Sequence, residues 1–190
     1  MIRKILIING HPDPRPERLC AALAAAYAEG AREAGHTVRR IDVGALDFPL
    51  IASAEVFTDG DLPKPIRDAQ AAILWAQQVV IVHPLWLGGL PARLKGFLEQ
   101  VLRYGFALGV SGKMIKGLLK GRSARVIVTM GMPAPAFRWV FGAHGLKALE
   151  MGVLWLCGFK PIRHTVIGGV GASDMTRRLA TVRRMGSEGR

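Results

Sequence analysis

The chain has little cysteine: two residues, Cys20 and Cys157, among 190. Both lie in apolar, helix-like contexts. Two buried thiols without a disulfide framework lead us to expect a reducing compartment, the cytoplasm. Acidic residues are also few, 14 against 26 lysines and arginines, for a net charge of +12. Long hydrophobic runs are missing, because Gln77-Gln78 and Glu150 break the longest ones. None approaches the ~20 apolar residues that span a bilayer. The start, Met1-Ile2-Arg3-Lys4, leads directly into a strand without the pattern of a signal peptide. There is no internal repeat, low-complexity segment or linker, so residues 1–190 are read as one domain. The five histidines show no metal-ligand spacing with cysteines or carboxylates, and no metal site is expected. No G-x-S-x-G stands out for nucleophilic catalysis. The basic residues are scattered, with small clusters at Arg39-Arg40, Lys113 to Arg125 and Arg177 to Arg184. Without a recognition helix or nucleic-acid motif, they argue against nucleic acid as the partner.

What is present is a strict alternation. Ile5 to Asn9 is a continuous apolar run, the pattern of a parallel strand buried on both faces. Arg18 to Ala34 carries Leu19, Leu23, Tyr27 and Ala31 at four-residue steps and stops before Gly35. Val38 to Val43 is a short second strand, and Gly44 to Pro65 reads as a long loop. Ile66 to Ala76 is helical and feeds a strand at Val79 to Val82. A second amphipathic helix has apolar residues at Leu90, Leu94, Phe97, Leu98, Val101 and Leu102. Tyr104 to Arg122 is a glycine-punctuated insertion, Ala124 to Thr129 a fourth strand and Trp139 to Cys157 a helix interrupted by glycines. Ile162 to Ile167 is a fifth strand. Asp174 to Met185 is a closing helix, with Ser173 or Asp174 as its cap.

Strands alternating with helices predict an α/β, doubly wound parallel sheet of five strands. Two strand orders compete. The first βα turn, Gly10 to Arg18, lacks G-x-G-x-x-G and contains Pro12, Pro14 and Pro16. That argues against a dinucleotide Rossmann site and leaves a loop able to wrap one phosphate at a helix N-terminus. The flavodoxin-like order, 2-1-3-4-5, then places ligands between strands one and three. The stretch His83 to Lys95, HPLWLGGLPARLK, fits that position. A buried strand ends there in a glycine-rich, aromatic turn before a helix, where an open sheet takes a flat ligand.

Several segments together resemble the flavodoxin-fold NAD(P)H:quinone oxidoreductases, which include DT-diaphorase and ancillary oxidoreductases of bacterial potassium-efflux systems. They are Asn9 to Pro12, Pro84 to Ala92 with Leu94 to Phe97, and Tyr104 to Ala107. Val128 to Gly131, Gly142 to Gly145 and Leu156 to Phe159 complete the set. They occur in family order and cover nearly the whole chain. The resemblance implies a flavin, FMN or else FAD, with NAD(P)H as co-substrate. It also implies a homodimer and two-electron reduction of quinone-like, azo or nitro acceptors in a ping-pong sequence. An electron carrier, or a regulatory subunit peripherally associated with a membrane transport system, is the alternative.

The same resemblance implies site roles. His11 and Arg18 would meet the flavin phosphate, and each has a plain alternative as a turn cap or a solvated side chain. Pro84, Leu85, Trp86, Leu87 and Gly88 would hold one side of the ring, with Thr129, Met130, Gly131 and Met132 on another. Trp86 can equally be a core or interface residue, and the Thr129 hydroxyl is expected to reach the pyrimidine end of the ring. His144 falls where the family has its active-site histidine, with a helix-surface histidine as the alternative. The chain departs from its relatives in three places: Arg15, Pro16 and Arg18 replace hydroxyl and amide residues of the phosphate loop, Leu87 replaces a second aromatic, and Phe137 stands near a tyrosine seen in some relatives. Tyr104 to Phe106 and Phe137 to Phe141 are the expected dimer surface.

Overall fold

The computed structural model describes residues 1–112, 114–171 and 174–189. Lys113, in one basic cluster, and Ser173, one of two candidate caps, lie outside the described residues. Five parallel strands form the main sheet: β1 (Lys4–Asn9), β2 (Thr37–Asp42), β3 (Gln78–Pro84), β6 (Ser123–Thr129) and β7 (Ile162–Ile167). Their order across the sheet is β2-β1-β3-β6-β7. The remaining two strands, β4 (Leu108–Ser111) and β5 (Met114–Gly117), pair antiparallel as a separate hairpin. The expected order 2-1-3-4-5 counted only the parallel strands. The hairpin inside the glycine-punctuated insertion moves the last two up to six and seven.

The central strands are buried on both faces, which explains their unbroken apolar runs. Ile5, Ile7, Val80, Val82 and Ile127 pack beneath α1 (Leu19–Glu33) and α6 (Met175–Glu188). The alternate residues, Leu6, Ile8, Ile81, Val126 and Val128, face α3 (Lys64–Trp75) and α4 (Ala92–Val101) in the larger core with Phe97, Phe137 and Phe159. The period of two thus divides one apolar run between two cores.

Residues 44–65 are not a bare loop. They contain α2 (Ala54–Asp59), capped by Ser53 Oγ, which accepts the Val56 N–H at 3.3 Å. Three side chains of α4 and the turn after it hold this segment: Arg93 donates to the Val43 carbonyl, Gln100 to Pro49 and Arg103 to Gly60. The first apolar residue assigned to α4, Leu90, precedes the helix, because Pro91 at the cap position is extended and helical geometry starts at Ala92. Asp174 takes the cap position of α6, but its side chain makes no capping hydrogen bond.

After β6 the chain makes a wide π-type turn at Ala136–Val140, then α5 (His144–Lys147), which runs on into wide turns at Ala148–Trp155. The expected dimer surface needs correction here. Phe137 is buried, and Tyr104 and Phe106 are half-buried against the core. The apolar side chains left exposed are instead Trp139 at 83%, Val140 at 78% and Phe141 at 57%.

Candidate functional site

Three strand ends converge at the carboxyl edge of the sheet. β1 ends in Asn9, fully buried, whose amide donates to Asp42 at the end of β2 (2.9 Å) and whose carbonyl accepts the His11 N–H (3.3 Å). β3 ends in Pro84, and the next amide, Leu85, donates to the Thr129 carbonyl at the end of β6 (2.7 Å). The chain then closes a tight turn, with Trp86 and Gly89 exchanging two backbone hydrogen bonds of 3.1 and 3.0 Å. Leu87 at φ 47° and Gly88 at φ 80° occupy the left-handed region that this turn demands, and Leu87 is fully exposed. A Cβ on Gly88, Gly89 or Gly131 would meet nothing within 4 Å. The backbone of both turns therefore has open space beside these glycines.

His11 belongs to this crevice. Its ring stands edge-on to Trp86, with centroids 5.8 Å apart at 78°. Its Nδ1 lies 3.0 Å from both the backbone N and the carbonyl O of Asp13. Both contacts use Nδ1, so Nε2 is the ring atom left to meet a ligand. The loop's cations are clustered around one carboxylate. Arg15 donates two side-chain hydrogen bonds to Asp13 Oδ2, and Arg18 Nε donates to the same oxygen at 2.6 Å. Desolvation opposes ionisation of Asp13, but the Arg15 amide and guanidinium outweigh it and hold the carboxyl below its ordinary value. Arg18 stands at the cap position of α1 with extended backbone, and the first turn of that helix holds no acidic residue. Asp13 is the anion that both guanidiniums face, just ahead of the helix N-terminus.

Two expected ring contacts are placed elsewhere. The Thr129 hydroxyl lies 3.5 Å from Cys20 Sγ on the α1 side, and Thr129 is buried. Met130 is also buried, in the α4-side core. Strand alternation, which continues to the last residue of β6, sends these side chains into the two cores and leaves only their backbone for the crevice. Burial pushes the Cys20 thiol up to about 11, against the pull of Thr129, so it is a neutral thiol.

The neighbour of His144 is the residue that meets the turn. A Cβ on Gly145 would lie 1.9 Å from the Gly88 carbonyl oxygen, so the α5 segment rests directly on the Trp86 turn. His144 itself is exposed and folds back over Gly142. Phe137 is in the core and supplies no group to the site. Reading the residues one by one missed Asp13, Gly145 and Cys20. Asp13, two residues before Arg15, was the only one with a local signal; the other two depend on contacts 57 and 109 positions away in the chain.

His83 lies at the end of β3 in the core, at 2% exposure. Its Nδ1 donates to the Pro84 carbonyl (2.9 Å), and Nε2 has no partner. Burial lowers its pKa to about 4, outweighing the bond to Pro84. A neutral imidazole therefore ends the strand that carries the turn. The larger hollows, of 540 and 680 Å³, lie elsewhere, one between Arg39 and Asp68 and the other beside the β4–β5 hairpin. Among the described residues, no group of three or more His, Cys, Asp or Glu is arranged to hold a metal ion, and no helix is long and apolar enough to cross a membrane.

Residues 3–187 match the profile of the flavodoxin-like fold. A ribosyldihydronicotinamide dehydrogenase [quinone] from Pongo abelii is 30% identical over 183 residues, covering 83% of this chain and 78% of that protein. Among solved structures, an NAD(P)H:quinone oxidoreductase from Methanothermobacter marburgensis superimposes with a TM-score of 0.84 at 23% identity, over 100% of both chains. An FMN-dependent NADH-azoreductase from Bacillus anthracis, solved in complex with FMN, gives 0.74 at 21% identity, over 98% of this chain and 97% of that one. The strand order, the crevice between β1 and β3 and the length of the match agree: the chain belongs to the flavodoxin-like fold family, among the NAD(P)H:quinone oxidoreductases.

Proposed function

We propose that this protein is a flavin-dependent oxidoreductase that takes two electrons from NAD(P)H and delivers them to quinone-like acceptors, azo and nitro compounds included. The observation that carries the reading is the pairing of two arginines, Arg15 and Arg18, in the loop at the α1 N-terminus with open backbone at Gly88, Gly89 and Gly131. The first suits a phosphate and the second a flat ring approached closely by main chain. FMN is the expected flavin, with FAD as the alternative. When bound, the flavin supplies reversible hydride acceptance.

The residues have separate tasks. Arg15, Arg18 and His11 Nε2 hold the phosphate end. The Trp86 turn supports the ring plane, and the backbone of residues 129–132 borders its polar edge. Reduction of a quinone to a hydroquinone takes two electrons and two protons, whereas a hydride carries only one proton. His144, next to the Gly145 that meets the turn, is assigned the task of supplying the second proton or stabilising the oxyanion before it arrives.

One crevice serves donor and acceptor in turn, which gives ping-pong kinetics. The exposed Trp139, Val140 and Phe141 are the surface for a homodimer that would wall the crevice. The test is the absorbance spectrum of the purified protein, identification of the released flavin, and initial rates with NADH or NADPH against a quinone. A bound flavin with parallel double-reciprocal lines is expected. A protein that binds neither FMN nor FAD, or that gives intersecting lines, would overturn the flavin or the ping-pong part respectively.

A further inference from the structure

The loop that leads into α1 carries its own anion. Between positions 13 and 18 it holds Asp13, Arg15, Glu17 and Arg18, two charges of each sign, so it exerts no net attraction on a distant phosphate. Both cations are turned onto one carboxylate. Asp13 Oδ2 accepts from Arg15 Nε at 2.9 Å and Nη2 at 2.6 Å, and from Arg18 Nε at 2.6 Å, with Arg18 Nη2 also 2.6 Å away. The edge made by Nε and one terminal nitrogen is a planar fork, with which a guanidinium takes a carboxylate or a phosphate in two parallel hydrogen bonds. Asp13 fills that edge on both arginines, and one edge cannot serve two anions together. A carboxylate that only oriented the arginines would take one nitrogen of each and leave the fork open.

The shape of the loop is fixed separately from these ion pairs. His11 Nδ1 lies 3.0 Å from both the backbone N and the carbonyl O of Asp13, and Asp13 Oδ1 accepts the Arg15 amide at 3.1 Å. The side chains of Arg15 and Arg18 are 65% and 43% exposed, against 25% for Asp13. The arginines can therefore turn from the carboxylate to a second anion while the loop keeps its turn.

We infer that Asp13 is an internal competitor for the flavin phosphate: its carboxylate holds Arg15 and Arg18, and the phosphate binds by drawing both guanidiniums away from it. The inference rests on the flavin reading above. A phosphate monoester wins the exchange because it carries close to two negative charges at neutral pH against one, and three acceptor oxygens against two. The cost of breaking the Asp13 pairs is subtracted from every phosphate bound. Affinity for the phosphate tail is thus lower than two arginines alone would give, and a flavin without phosphate is indifferent to Asp13.

The test is Asp13→Asn. An asparagine side-chain oxygen can still accept the Arg15 amide, so the turn is kept and only the charge is lost. An exposed ion pair is worth about threefold, so releasing both arginines should tighten FMN binding about tenfold, read by flavin fluorescence on the apoprotein. Riboflavin, which has no phosphate, should bind parent and variant alike. Asp13→Glu, which keeps the charge, should show no gain. Arg18→Ala should cost about three times more FMN affinity in the Asp13→Asn background than in the parent, because there the guanidinium has no Asp13 carboxylate to leave. Isothermal titration with inorganic phosphate reads the same exchange without a flavin, and Asp13→Asn should again bind about tenfold more tightly. FMN bound equally or more weakly by Asp13→Asn would make Asp13 a scaffold and overturn the proposal, as would an equal gain for riboflavin. Failure of both parent and variant to bind either flavin sinks the flavin reading instead. Inorganic phosphate then decides, and no gain in the variant overturns the proposal as well.

Discussion

The two halves of the crevice are built in different ways. The half proposed to hold phosphate, His11 to Arg18, is assembled from side chains: two arginines and a histidine arranged around Asp13. The ring half is assembled from backbone: a turn closed by its own amides, tied to β6 through Leu85 and Thr129, with open space beside its glycines. On the proposed function the side-chain half would draw its affinity from charge, so single substitutions that change charge should act there directly. The backbone half is tuned by shape, and most side-chain changes in it should be mild. Its sensitive points are those where another segment presses on it or a chemical group hangs over it.

The largest effect should come from the group beside the ring half. His144→Ala is expected to keep its flavin and fold while losing about 10²–10⁴-fold in turnover, the range for a proton-transfer residue. Stopped-flow flavin reduction and reoxidation separate the half-reactions, and the loss should fall on reoxidation by quinone. Unchanged rates in both would leave the backbone half with no chemistry of its own.

Next comes the buried imidazole that leads into the turn. With its folded pKa lowered to about 4, His83 is neutral in the native state over the pH range in which an unfolded chain already takes up its proton. Its contribution is fully present above about pH 6.5, the unfolded value, and is lost as pH falls toward the folded value, roughly 3 kcal/mol in all. Urea unfolding at pH 7.5 and pH 4.5 should show this acid-side loss, and His83→Phe should flatten it. Equal pH dependence in the two proteins would mean that the proton is taken up elsewhere.

On the charged half, Arg18→Ala should weaken flavin binding about tenfold, near the low end for a charge-assisted hydrogen bond because Arg18 also serves Asp13. Fluorescence titration measures it, and the loss should shrink as salt rises. An affinity equal to the parent's would make Arg18 only Asp13's partner.

A last pair of substitutions, read in stability rather than in function, sharpens the comparison within the backbone half. Gly88→Ala meets no atom and has only its φ of 80° to overcome, about 1–2 kcal/mol of stability by thermal melting. Gly145→Ala, whose Cβ would sit 1.9 Å from the Gly88 carbonyl, should cost more, because the clash is with backbone. The reverse ranking would mean that the two segments do not rest on each other.

Much of this architecture was legible in the chain itself. Strands buried on both faces leave unbroken apolar runs, and all five were found to within two residues at either end. The proline-rich first turn, without a dinucleotide fingerprint, pointed to the β1–β3 switch point before any coordinates, and the resemblance named the segments around it. The hairpin was not legible. Leu108–Ser111 and Met114–Gly117 are four residues each and carry glycines, too short for an alternating pattern to show. Nor was the direction of the Thr129 hydroxyl, the engagement of Arg15 and Arg18 by Asp13, or the contact of Gly145 with Gly88. Sequence by itself determined the five parallel strands and the long helices between them, because burial and periodicity are local properties of the chain. Which atom of each residue faces the crevice was decided only by tertiary structure. That choice depends on the neighbour across the sheet or on a helix more than fifty residues away, and strand alternation at the end of β6 turned Thr129 and Met130 inward whatever their chemistry suited them to do.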